Sequence, residues 1–106
     1  MFREIDSLDR IIEKSKGSRL LIFKHSSACP ISGRGRLELE NFLADHPELE
    51  AYLVVVQNQR PLSNEIEAKL GVRHETPQLL LVVDGRVSLF WSHYQISKKT
   101  LEAELI

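Results

Sequence analysis

The chain has a single cysteine among its 106 residues. One cysteine cannot close an intramolecular disulfide, so a disulfide scaffold is excluded and a reducing, cytoplasmic setting is expected. Charge of one sign is missing too: 14 basic residues against 15 acidic ones leave a net charge of −1. That balance offers no electrostatic footprint for nucleic acid or for an anionic membrane surface, so neither is expected as a partner. Long apolar runs are lacking. The longest, LVVV and LLLVV, fall far short of the ~20 residues a membrane-spanning helix needs. The opening stretch MFREIDSLDR is charged within three residues and has no signal-peptide core. No internal repeat or low-complexity segment is visible. The four histidines and one cysteine show no metal-ligand spacing, so no metal site is expected. The G-R-G at 33–35 has neither the Lys-Ser/Thr of a P-loop nor dinucleotide spacing.

What is present is ordinary for a single globular domain over residues 1–106, with 42% apolar and 27% charged residues. Phe2 to Ile5 reads as a short strand. Asp6 or Ser7 caps a helix with Leu8, Ile11 and Ile12 at helical spacing, stopped by Gly17. Arg19 to Lys24 is a β-run apolar at four successive positions, which predicts cover on both faces. A second helix follows Cys29. Leu37, Phe42 and Leu43 supply its apolar stripe, with Leu39 and Ala44 beside them and Pro47 past its end. Gly33 and Gly35 weaken its first turns.

Ala51 to Val56 is another buried-type strand. Pro61 suits a first helical turn ahead of Ile66 and Leu70, with Gly71 as C-cap. Gln78 to Val83, the Asp84-Gly85 turn and Arg86 to Trp91 predict a hairpin. Of its adjacent aromatics, Phe90 and Trp91, one belongs in the core and the other beneath a helix. Ser97 caps a last helix over Lys98 to Leu105. The order β-α-β-α-β-α-β-β-α requires a parallel pair plus an antiparallel hairpin in one mixed sheet. With helices on both faces this is a three-layer α/β sandwich of thioredoxin-like architecture.

That topology gathers four separated stretches at one sheet edge, where open α/β sheets bind ligands. They are Cys29 after the second strand, Gln57 to Arg60 after the third, Thr76-Pro77 before the fourth, and Ser92-His93 after the fifth. At a helix start, unpaired N–H groups and the helix dipole favour thiolate over thiol. Such placement can bring a cysteine pKa from about 8.5 into the range of roughly 3.5–7.5. Pro30 fits the first helical turn. Ser32 stands where a C-x-x-C motif has its second cysteine; its hydroxyl can hydrogen-bond a thiolate but cannot close a disulfide. The plainer alternative is that Cys29 is a buried spectator. A cis Thr76-Pro77 bond would let the Thr76 backbone form one β-ladder rung with a thiol ligand; a simple break before a strand is the alternative.

FKHSSACPIS, VQNQRPLSNEIEAKLGVRHETPQLLLV and WSHYQIS together resemble the monothiol bacilliredoxins, the YtxJ-like proteins of the thioredoxin-like superfamily. The likeness runs from about residue 6 to 100. It implies a thiol–disulfide oxidoreductase whose Cys29 thiolate attacks the mixed disulfide between a client protein and bacillithiol, the co-substrate. Cys29 takes the small thiol and releases the client. A second bacillithiol or a recycling thiol protein must regenerate Cys29, as the chain has no resolving cysteine. No permanently bound cofactor is implied. Six residues before Cys29, dithiol thioredoxins carry a buried acid; here Phe23 stands, so a proton shuttle through that position is absent.

The remaining residues divide between site and scaffold. Cys29, Ser32 and Pro77 are the expected catalytic set, and Thr76, Arg60, His93 and His25 the expected substrate contacts. Arg60 could pair with a carboxylate of an acidic thiol, and His93 could touch a bound thiol or stabilise its turn. His25 could favour the thiolate or simply pack. His46 and His74 read as surface residues, and Ser63 and Asn64 as helix caps. Two other functions compete: a glutathione-type monothiol glutaredoxin, with or without an iron–sulfur cluster, and a redox-inactive thioredoxin-like binding module.

Overall fold

In the computed structural model, which describes residues 2–106, the run Leu20–His25 (β2) has all six residues buried. Such a strand needs cover on both faces, and alternation decides which residue meets which cover. Leu21 and Phe23 enter one core with Leu39, Phe42 and Leu43 of α2 (Pro30–Asp45) and Leu101 and Leu105 of α4 (Lys98–Leu105). Leu20 and Ile22 enter the other with Leu8 and Ile11 of α1 (Leu8–Lys14) and Ile66 of α3 (Arg60–Leu70). Continued by two residues, the alternation sends Lys24 to the α1/α3 face and His25 to the α2/α4 face. That divergence shapes the site.

The sheet has five strands in the order β1-β3-β2-β4-β5, the other members being β1 (Phe2–Arg3), β3 (Glu50–Val55), β4 (Gln78–Val83) and β5 (Arg86–Ser92). β1 and β2 both pair parallel to β3; β2 with β4 and β4 with β5 are antiparallel. This is the expected mixed α/β sandwich, with the first strand shorter than its apolar pattern suggested. Asp84 and Gly85 both have positive φ, 52° and 77°, as a tight hairpin turn between right-twisted strands requires. The turn is tied down by Asp84 N–H donating to Ser15 O at 2.9 Å and Gly85 N–H to Ser15 Oγ at 2.8 Å. Among the described residues, no helix is long and apolar enough to cross a membrane.

Two expectations about packing are corrected. Leu37 is 58% exposed, and Ala44 is also exposed; the buried stripe of α2 is Ser32, Gly35, Leu39, Phe42 and Leu43. The first turns of that stripe are lined by small residues, which is why the helix lies close to the loop carrying Pro77. Phe90 lies under no helix: it is 54% exposed on the edge strand, while Trp91 is buried and donates its Nε1–H to Glu104 at 2.7 Å.

Candidate active site

Residues 26–28 carry the chain from β2 to α2, and Cys29 is the N-cap of that helix with extended backbone (φ −110°, ψ 120°). Pro30 occupies the first turn, where its missing N–H costs nothing. Gly33 N–H closes the first intrahelical bond onto the Cys29 carbonyl at 3.1 Å. The N–H groups of Ile31 and Ser32 have no carbonyl one turn earlier, and an N-cap side chain is where such donors normally find an acceptor. The Cys29 side chain makes no capping bond and is partly exposed. The sulfur thus stands at the N-terminal end of a 16-residue helix, beside the positive end of its dipole.

Ser32 is fully buried. Its Oγ accepts from Ser26 N–H at 2.9 Å and lies 2.7 Å from His25 Nδ1. The hydroxyl expected beside the sulfur is thus engaged inward, with the loop backbone and the end of β2. His25, expected as a substrate contact, is 7% exposed and stacks on Phe23 with ring centroids 5.7 Å apart. Burial, and then the Arg36 charge, hold its pKa below the usual value, so the imidazole is neutral near pH 7. Its observed partner is Ser32. The loop is latched from β3 as well: Gln57 Nε2–H donates to Ser26 Oγ at 2.7 Å and Ser27 N–H to Gln57 Oε1 at 3.3 Å.

The Thr76-Pro77 bond is cis. Pro77 is buried against the second turn of α2, where a β-carbon on Gly35 would stand 3.7 Å from the Pro77 ring. From the other side His93 N–H donates to Pro77 O at 3.0 Å. His93 itself is exposed, in the left-handed region at φ 53°. Next to it Tyr94 is 65% exposed, with the Arg34 guanidinium 5.5 Å above its ring and donating to Ile96 O at 3.4 Å. Cys29, Thr76, Pro77 and His93 therefore share one end of the sheet. Arg60 stands apart, exposed as the first residue of α3, across the sheet from α2. An open cavity of about 360 Å³ between Phe2, Arg36, Leu53 and Gln59 does not include Cys29.

A second polar group escapes a reading of the sequence alone. Lys24 is completely buried on the α3 face, its Nζ 3.2 Å from His74 Nδ1. Ser63 Oγ, also buried, lies 3.2 Å from the same nitrogen, and Glu67 accepts from His74 N–H. Burial pushes the Lys24 pKa down, opposed by the Glu67 charge; burial and then Lys24 push His74 down. His74 is therefore not a free surface residue, and Ser63, expected as a cap, instead lies inside α3, whose N-cap is Gln59. A signal for the group exists in the sequence: a lysine inside a strand covered on both faces has no outward side on which to escape.

Comparison with known proteins agrees with this architecture. A thioredoxin-fold protein with a proposed oxidoreductase role superposes with a TM-score of 0.82 at 29% identity, over 94% of this chain and 89% of its own. Thioredoxin from Trypanosoma brucei brucei matches with a TM-score of 0.75 at 9% identity, over 97% and 89% of the two chains. Trxlp from Edwardsiella tarda matches with 0.73 at 19%, over 96% of each. At those identities the last two show the fold alone. Residues 2–101 match the family model of the monothiol bacilliredoxin BrxC, and the chain belongs to that family of thiol–disulfide oxidoreductases.

Proposed function

We propose that this protein removes bacillithiol from S-thiolated client proteins in a reducing cytoplasm. The Cys29 thiolate attacks the bacillithiol sulfur of the client mixed disulfide. The client S–S bond breaks, a Cys29–bacillithiol disulfide forms, and the client sulfur leaves as thiolate and takes a proton from water. In a second exchange a free bacillithiol thiolate attacks the adduct, giving oxidised bacillithiol and the Cys29 thiolate. A recycling thiol protein can take the same part. The reducing equivalent for each cycle comes from the one free bacillithiol thiol that enters in the second exchange, the other bacillithiol sulfur having arrived already at the disulfide level, and no resident cofactor is needed.

The observation that carries this reading is the pairing of Cys29 at the N-cap of α2 with a buried serine at position 32. The first supports a nucleophilic thiolate in reach of another protein's disulfide; the second leaves no intramolecular route to resolve the adduct. Thr76 is proposed to offer its backbone to the bound disulfide, and His93 to line the same edge. Arg60, on the far side of the sheet, is the weakest of the expected contacts. To test the proposal, a client protein carrying either a bacillithiol or a glutathione mixed disulfide is mixed with the reduced protein. Release of client thiol is then timed. Faster release from the bacillithiol client, lost in Cys29→Ala, is expected. Faster release from the glutathione client would assign a glutaredoxin-type role, and no release from either would reject thiol transfer.

A further inference from the structure

The segment that delivers Thr76-Pro77 to the site is irregular from Gly71 to Pro77. Neither the N–H nor the C=O of Thr76 meets a backbone partner among the described residues. The segment is nonetheless held at several points by side chains from the α3 face. Gln78 Nε2–H donates to Arg73 O at 2.9 Å, Glu67 takes His74 N–H, and Lys24 Nζ and Ser63 Oγ converge on His74 Nδ1, each at 3.2 Å. Lys24 and Gln78 are direct partners in the β2–β4 register, so both reach this segment from the strand ends that flank Pro77.

With Lys24 as the ammonium, which has only hydrogens to give, His74 Nδ1 is the acceptor and its proton lies on Nε2. Lys24 and Ser63 then share the single lone pair of Nδ1 as two donors to one acceptor, which fixes the ring and the backbone on either side of it. Among the described residues, Lys24 has no carboxylate within hydrogen-bonding distance, and burying a lysine in that way is costly. A core built only for stability would place an apolar residue at position 24. The adjoining interior positions of β2 are filled by Leu20 and Ile22.

We infer that Lys24 and His74 are positioning residues for disulfide exchange: they pin the 71–77 segment from behind the sheet so that the Thr76 backbone stays aimed at an extended peptide flanking the client's disulfide. This inference rests on the proposed thiol transfer. A small electrophile that needs only Cys29 is insensitive to it. A peptide substrate with residues on both sides of the mixed disulfide feels it through KM.

The test uses the full-length protein and three variants. Lys24→Met keeps the volume and removes the donor. His74→Leu removes the acceptor, and His74→Asn puts a side-chain carbonyl oxygen near the place of Nδ1. Each is assayed with iodoacetamide and with a hexapeptide carrying a bacillithiol mixed disulfide. Lys24→Met and His74→Leu should raise KM for the peptide about tenfold, the loss expected for a charge-assisted bond. Their kcat and their iodoacetamide rates should stay within about twofold of the parent. His74→Asn should recover most of the loss, and the urea midpoint of Lys24→Met should equal or exceed that of the parent. The inference is overturned if Lys24→Met handles the peptide like the parent, or if alkylation and peptide transfer slow together. Should Lys24→Met fail to fold, the inference is decided by whether His74→Asn outperforms His74→Leu on the peptide. A parent protein inert toward the peptide, yet readily alkylated, would instead reject the thiol-transfer reading.

Discussion

Replacing Ser32 by alanine tests how the monothiol site is built. The serine hydroxyl serves two groups at once, Ser26 N–H at 2.9 Å and His25 Nδ1 at 2.7 Å. Alanine leaves both without a partner. An unsatisfied buried polar group costs about 1–3 kcal/mol. Ser26 lies in a half-buried loop where water can replace the lost contact, so its share falls at the low end. The ring of His25 is buried and has no such relief. Together the loss should be about 2–3 kcal/mol. For a domain of this size the unfolding entropy is about 0.22 kcal/mol/K, so Tm should fall by about 9–14 °C.

Trp91, the only tryptophan, is buried and makes a convenient fluorescence probe for urea unfolding at pH 7.5. His25→Phe and the double variant complete a cycle, in which the two residues should show a coupling of about 1 kcal/mol or more. A loss below about 0.5 kcal/mol in Ser32→Ala, or additive single changes, would mean that the inward hydroxyl is not what fastens the loop to β2.

Further predictions concern pH and backbone. His25 and His74 are both held below their usual pKa, chiefly by burial. Unfolding returns them to about 6.5, so the unfolded chain binds more protons below that pH. Stability should therefore be complete above about pH 6.5 and decline as the pH falls through the window beneath it. Urea midpoints at pH 7.5 and 5.5 check this, and a midpoint that rises on acidification would refute it. Gly33 lies within α2, and a β-carbon added there would meet nothing within 4 Å. Gly33→Ala should raise stability by about 0.8–1 kcal/mol, or about 4 °C by calorimetry. At Gly85, with φ 77°, the same substitution should lower it by about 1–2 kcal/mol, because a β-carbon clashes with the backbone in that conformation. Equal signs at the two glycines would contradict the reading of the hairpin turn.

The fold is legible in the sequence because its signals are local and redundant. The four-residue apolar runs of β2 and β3, the Asp84-Gly85 turn and the Gly71 stop each admit few alternatives, and together they dictate the strand order. The gathering of Cys29, Thr76-Pro77 and His93 at one edge follows from that order alone. What escapes depends on which way individual side chains face. Large apolar residues mark a stripe in a sequence, which draws Leu37 into the expected core of α2. The true stripe begins with Ser32 and Gly35, where the helix meets Pro77. Charged residues are ordinarily solvated, and that expectation hides Lys24 and, through it, the engagement of His74. The motif points Ser32 at the sulfur, but its partner is the residue where β2 ends.

In the proposed cycle Cys29 accepts a small thiol from a client and keeps it until another thiol arrives. The intact mass of the reduced protein, taken after brief mixing with a bacillithiol-modified client, tests it most directly. One bacillithiol adduct on Cys29, a client returned to its free-thiol mass, and no adduct on Cys29→Ala are expected. An unmodified protein beside a still-thiolated client, or a covalent complex between protein and client with free bacillithiol in solution, would contradict it.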